Sequence, residues 1–425
     1  MTQIPQWRQL PISLSELCIK TTLRCGQSFR WQHNPNTDEW TCSLFERIVC
    51  LRQDASNLHY SAISPKRRGS KAPPLAASTL EPLSTYLNLK PDLGQLYEQW
   101  SRADPNFKKK ALQISGVRIL RQDPWETLCG FICSSNNNII RISQMMNKLC
   151  VKYGTPLGSY QAQDYWTFPP PSALSGTGVE AELRELGFGY RAKYLHRTAV
   201  IVDQERPAGW LESLMNTEKD SKISIIEEAD LKNLPRKGVA QVPEGGRPGY
   251  REAHEQLLEL QGVGPKVADC VCLFGLGWGE AVPVDTHVWQ IAQRDYKFGK
   301  GKHASLTKTT YDAIGNRFRE LWGDEAGWAH SVLFTADLRA FSDLVGKGKG
   351  KMETVGVVEV NPDVKVKQEV KVEAEEDAAD DQERDVKALE RSPDQSRKRR
   401  RSLNGQAVAE DIKTPAKRKK KRKIQ

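Results

Sequence analysis

Lys266 follows Pro265 at the head of a predicted helix, and Asp285 comes 19 residues later within VPVDTH (Val282 to His287). An amine and a carboxylate brought together suit one reaction class well. Breaking an N-glycosidic bond develops oxocarbenium character on the sugar. A carboxylate stabilises that charge, while an amine can attack the anomeric carbon and form a Schiff base. Attack needs the neutral amine, so a free lysine pKa of about 10.4 must fall to roughly 7–8. That shift is worth roughly 3–4 kcal/mol, and a helix N-terminus supplies only about 0.3–1, so desolvation must do most of it. Cys270 lies at i+4 from Lys266, on the same helical face. As a thiolate it would hold the lysine charged, and the sequence leaves the protonation of this pair open.

These side chains need elements to position them. A helix-forming run from Arg251 to Leu260 leads into Gly262-Val-Gly264, and Pro265 sits at the first position of a second helix, where a missing N–H costs nothing. Glycines there let backbone amides approach an anion, and the helix N-terminus adds positive partial charge. The segment resembles the helix–hairpin–helix element of DNA repair glycosylases, which grips a DNA phosphate. A plain inter-helix turn with a surface lysine is the competing reading, and the VPVDTH run at this spacing disfavours it.

Upstream, Trp7 to Ile63 reads as β-structure in short runs: TLRCGQSFRW, EWTCSLF, RIVCLRQ and NLHYSAI. Gly26 within the first run marks either a bulge or a place where backbone meets another group. Residues 64–78 read as a solvent loop, and helical patterning begins at Leu80. Asp123-Pro124 reads as an N-cap and N1 pair opening a helix through Cys133. Asn136, Asn137 and Asn138 then either cap the next helix or face a ligand. LGFGYRAKY (Leu186 to Tyr194) is a glycine-punctuated turn whose aromatic and basic residues suit nucleic acid or, alternatively, a core ring with solvated charges. Residues 216–249 read as a flexible insertion. Helices follow from His287 and from Thr307, and the last places His330 and Phe334 one turn apart on a shared face.

Composition bounds the rest. The net charge is +10 and the pI about 9.0. From Leu344 onward there are 22 basic and 16 acidic residues, so +6 lies there and only +4 in the body. A DNA groove is therefore local. The clusters Arg397–Arg401 and Lys417–Lys423 read as nuclear import signals or a nonspecific DNA tether, making the nucleus the expected compartment with a mitochondrial share left open. Nine cysteines form no even framework, so reduced thiols are expected. No zinc motif and no apolar run of membrane-spanning length occurs. Three regions result: a β-rich N-terminal domain with flanking helices (1–122), a helical domain (123–343) and a disordered charged tail (344–425).

With these pieces assembled, the chain resembles the eukaryotic 8-oxoguanine DNA glycosylase/lyases from about Trp7 to Phe341, excluding the loop at 64–78 and the insertion. The carrying motifs are CGQSFRW, CSSNNNI, GYRAKY, GVGPKVADC, VPVDTH and GW-x2-VLF-x-ADL. The absence of cysteines after Cys272 separates it from relatives with an iron–sulfur loop. The resemblance implies an α+β fold, in which an antiparallel sheet of TATA-binding-protein-like form packs on a two-part helix–hairpin–helix body. It also implies roles. Lys266 would be the nucleophile and Asp285 its catalytic partner. Gly26 would offer its carbonyl to the N7–H found only in the oxidised purine, and Cys270 and Phe334 would sandwich the flipped base. Asn136, Arg141, Tyr190 and Arg191 would fill the vacated stack and read the estranged cytosine. Gly262 and Gly264 amides, with His287, would hold phosphate.

Family members commonly carry glutamine where this chain has His330. If His330 reads the base edge, binding should weaken as pH falls through its reference pKa of about 6.5. The expected partner is double-stranded DNA containing oxidised guanine, met by a monomer with no membrane, metal or cofactor; downstream repair proteins leave no readable mark. A lysine glycosylase for oxidised pyrimidines or other damaged purines, and a catalytically silent damaged-DNA binding module, are the alternatives.

Overall fold

The computed structural model describes residues 5–64, 79–338 apart from 112, 218–241 and 300–304, and Phe341. The loop at 65–78, the middle of the insertion, part of the basic loop after Tyr296 and the tail from Leu344 lie outside the described residues.

An antiparallel sheet in the order β1-β5-β4-β3-β2 forms the N-terminal layer. Its strands are β1 (Arg8–Pro11), β2 (Gln32–Asn34), β3 (Glu39–Leu44), β4 (Arg47–Gln53) and β5 (Asn57–Ile63). The central strand β4 is apolar without alternation because both of its faces are covered. Val49 and Leu51 pack with Leu17, Leu83 and Tyr86, whereas Ile48 and Cys50 meet Leu157, Tyr160 and Tyr165. Those last three belong to a hairpin, β6 (Pro156–Tyr160) and β7 (Gln163–Trp166), that no sequence expectation contained. Buried Glu39 fastens it: the carboxylate takes Arg52, Gln161 and, at 3.0 Å, the Tyr160 hydroxyl.

The expected strand TLRCGQSFRW is not one. A short helix α1 (Ile19–Thr22) precedes an irregular segment in which Gly26 has φ +86°, outside any strand geometry. The Gln27 side chain replaces ladder bonding there. Its Nε2 donates to the Thr22 and Arg118 carbonyls at 3.0 and 2.8 Å, and its Oε1 accepts from Leu120 N–H at 2.9 Å. Gly26 is thus not a bulge but a half-buried stretch of backbone held by its neighbour.

Helices make the body: α2 (Leu80–Tyr86), α3 (Leu93–Ala103), α4 (Pro105–Ala111), α5 (Pro124–Ile132), α6 (Ile139–Tyr153), α7 (Pro171–Leu174), α8 (Val179–Glu185) and α9 (Arg191–Val200). Then come α10 (Trp210–Ser213), α11 (Pro248–Leu258), α12 (Pro265–Phe274), α13 (Thr286–Tyr296), α14 (Lys308–Trp322) and α15 (Ala326–Asp337). From α3 onward a single large apolar core joins them, with Trp100, Trp322 and Trp328 fully buried. Helix α12 packs on α5, where Phe131 stacks on Phe274 with centroids 5.4 Å apart.

Of the insertion, only 218–241 lies outside the described residues, and both of its ends are bonded. Asn216 N–H donates to the Leu276 carbonyl at 2.8 Å, and Gly245 N–H to Asn316 Oδ1 at 2.9 Å. Arg247 pairs with fully buried Glu280 (2.6 Å), which lets α11 begin at Pro248, three residues before the expected start. A buried carboxylate requires such a partner, and this one fixes the end of the insertion.

Candidate active site

Helices α11 and α12 and the turn between them build the hairpin. Gly262 has φ +79°, and a Cβ there would stand 2.6 Å from the Tyr194 ring, so conformation and close approach both demand glycine. Gly264 caps α12 with extended backbone and open space around its Cα. The first N–H groups of α12 have no partner within the helix, as at any helix N-terminus, which suits an anion.

Lys266 extends from the first turn of α12. Its Nζ donates to Ser134 Oγ at 3.0 Å and lies 5.1 Å from the centre of the Phe131 ring. Asp285 caps α13, its carboxylate accepting from Val288 N–H at 2.9 Å. Both line one pocket together with Gly26, Cys270, His330 and Phe334. The polypeptide thus brings together the proposed nucleophile, its carboxylate and the four base-binding candidates. Ser134 was the partner that sequence reasoning missed; its only signal was membership of the CSSNNNI run.

Cys270 is buried. Desolvation pushes its thiol up to about 12, with Lys266 pulling against that rise and Asp285 and Asp269 adding to it. A neutral thiol therefore faces the lysine, which answers the thiol's half of the question the sequence left open.

His330 departs from expectation. It is 5% exposed, and neither ring nitrogen has a hydrogen-bond partner, the nearby Gly327 carbonyl accepting from Ser331 Oγ at 2.8 Å. Burial lowers its pKa to about 4, although Asp285 opposes the drop. The acid limb expected near the ordinary imidazole value therefore moves below the physiological range. Between those two pKa values the unfolded chain binds a proton that the folded ring refuses, so stability falls as pH drops from about 6.5 towards 4. His330→Gln should flatten that fall in urea unfolding measured across the window. An unchanged slope would mean that the ring is protonated in the folded protein.

The reading-face residues are divided. Asn138 caps α6, accepting from Arg141 N–H at 2.9 Å, so the capping alternative holds at that position. Asn136 is exposed at φ +45°, and Arg141 is exposed beside it. Tyr190 is 47% exposed, and its hydroxyl donates to the Ser135 carbonyl at 3.1 Å. Arg191 is buried, and its guanidinium binds the Ser135 and Asn136 carbonyls, so it braces the asparagine turn. His287 is partly buried, edge-on to Phe334 at 5.1 Å, with Nε2 3.1 Å from Asp337 Oδ2 but outside hydrogen-bond geometry. Among the described residues, no cluster of His, Cys, Asp and Glu could hold a metal ion, and no helix is long and apolar enough to cross a membrane.

Comparison with known proteins agrees with this geometry. Residues 9–128 match the family described as 8-oxoguanine DNA glycosylase, N-terminal domain, and residues 129–316 match the HhH-GPD superfamily of base excision DNA repair proteins. The N-glycosylase/DNA lyase of Saccharomyces cerevisiae is 35% identical over 388 residues, covering 86% of this chain and 95% of the relative. That of Arabidopsis thaliana is 35% identical over 347 residues, covering 81% and 84%. Among solved structures, the 8-oxoguanine glycosylase/lyase of Clostridium acetobutylicum, in complex with duplex DNA carrying cytosine opposite 8-oxoguanine, superposes with a TM-score of 0.58 at 29% identity, covering 76% of this chain and 91% of that one. The chain belongs to the 8-oxoguanine DNA glycosylase/lyase family.

Proposed function

We infer that the protein is a bifunctional base-excision enzyme that removes 8-oxoguanine opposite cytosine from duplex DNA and then cleaves the abasic strand. The carrying observation is the convergence of Lys266, Asp285, Gly26, Cys270 and Phe334 on one pocket at the mouth of the hairpin. The neutral amine of Lys266 attacks C1′. The bond to N9 breaks with its electron pair going to the base, which takes up a proton. Opening of the sugar ring turns the adduct into a Schiff base, and loss of a C2′ proton then expels the 3′ phosphate. Asp285 stabilises the positive sugar in the first step. The Gly26 carbonyl accepts from the N7–H of the lesion, and Cys270 and Phe334 close on its faces. A neutral His330 can present either a ring N–H donor or a ring nitrogen acceptor to its edge. The glycine-rich hairpin and His287 hold the phosphate backbone.

The test is excision by the full-length chain across a panel of lesion duplexes. Fastest release of 8-oxoguanine opposite cytosine is expected, with His330→Leu narrowing the margin over other lesions. Preference for an oxidised pyrimidine, or binding without release, would favour one of the alternative readings. Arginine can donate two hydrogen bonds to the O2 and N3 acceptors of unpaired cytosine. Arg141→Ala should therefore relax the preference for cytosine over adenine opposite the lesion, by roughly 1–3 kcal/mol per lost contact. Unchanged opposite-base ratios would reject that role.

The basic clusters of the tail support a nuclear location. Deleting the chain after Leu344 should leave excision on short duplexes intact, weaken salt-sensitive nonspecific binding and impair nuclear accumulation. Normal import of the shortened protein would overturn the nuclear reading.

A further inference from the structure

Asp269 takes no part in the scheme above, yet its carboxylate is 1% exposed on the same helix as Lys266. Oδ1 accepts from the Tyr250 hydroxyl of α11 and Oδ2 from the Tyr311 hydroxyl of α14. His254 Nε2 stands 3.7 Å from Oδ1. The Tyr311 oxygen in turn accepts from the Val284 N–H at 3.3 Å, and Val284 immediately precedes Asp285. One buried carboxylate therefore ties together both helices of the hairpin and the stretch that delivers the catalytic aspartate. Burial, with Asp269 itself, holds both phenols well above their ordinary pKa, so they remain donors.

Apolar packing alone could join these elements, since α12 is buried along nearly its whole length. What a carboxylate with two directed donors adds is register, and register between nucleophile and partner is what a glycosidic cleavage depends on. We propose that Asp269 is a positioning residue of the reaction, setting Lys266 against Asp285 through Tyr311 and the Val284 amide. This rests on the glycosylase reading.

Three variants of the full-length chain test it: Asp269→Asn, Tyr311→Phe and Tyr250→Phe. Each is assayed for single-turnover excision, lesion-duplex affinity and melting temperature, in the wild-type and Asp285→Asn backgrounds. Tyr311→Phe should slow excision on the order of tenfold while affinity changes by less than about twofold. Tyr250→Phe removes a hydroxyl from the same carboxylate but no link to Val284, so it should slow excision less. With Asp285→Asn already in place, Tyr311→Phe should add nothing, because the group it positions is gone. Asp269→Asn should lose at least as much rate as Tyr311→Phe; if it does not fold, the two phenylalanine variants decide. Equal slowing by those two, or a full multiplicative effect of Tyr311→Phe on Asp285→Asn, would overturn the proposal. Wild-type protein inert on every lesion would overturn the glycosylase reading, and this inference with it.

Discussion

Lys266→Gln should leave no borohydride-trapped adduct on an 8-oxoguanine·cytosine duplex, and its excision rate should fall by a factor on the order of 10³ or more, the scale on which loss of a covalent nucleophile is felt. The variant should fold. Lys266 reaches Ser134 Oγ at 3.0 Å, and a glutamine amide can keep a donor there, while the lost cation–π contact with Phe131 is worth about 0.5–1 kcal/mol. Duplex affinity should change little, because the hairpin amides proposed to hold phosphate are backbone groups. Trapping at full yield in this variant would move the nucleophile to another amine. The neutral Cys270 thiol matters here: it adds no second anion to the Asp285 carboxylate in the lysine's pocket.

The second large effect separates two duties of one side chain. Asp285 caps α13 through Val288 N–H at 2.9 Å and also faces the pocket. Asparagine is as good a cap as aspartate, so Asp285→Asn removes the charge and keeps the helix start. Loss of a preorganised electrostatic stabiliser costs roughly 10²–10³ in rate, and excision should fall by about that much while binding changes only a few-fold. Asp285→Ala should show the same kinetic loss plus about 1 kcal/mol of stability from the missing cap. The two losses are measured by single-turnover excision and by urea unfolding. If Asp285→Asn weakens duplex binding as much as it slows excision, the charge serves the ground state and the transition-state role is wrong.

How far the sequence could be read depended on whether the signal was local. Pro265 at N1, Asp123 before its helix and the glycines of the hairpin turn each carry their structural meaning in themselves, so the hairpin and the starts of α5 and α12 were legible. His330 and Phe334 share the pocket, as one helical turn between them required. The irregular segment around Gly26 was misread because aromatic and apolar residues imitate a strand, while the feature that decides against one is the buried Gln27 side chain bonding to residues about 90 positions away. Hairpin β6–β7 was passed over for a similar reason. Its tyrosines are explained by the second face of β4, which only the assembled sheet presents. The protonation of Cys270 and His330 was likewise beyond reach, since both are set by burial.

The ends of the insertion bear on how the chain tolerates change in length. Asn216 and Gly245–Arg247 are bonded to Leu276, Glu280 and Asn316, so the excursion leaves and rejoins the body at one neighbourhood, beside the loop that runs to Asp285. With both ends moored, the span to be closed is set by the body, and closing a flexible loop costs only about 0.6 kcal/mol more for each doubling of length. Two of the moorings, Leu276 and Glu280, lie on the stretch that leads to Asp285, so the bonds at the insertion's ends also bear on how that stretch is held.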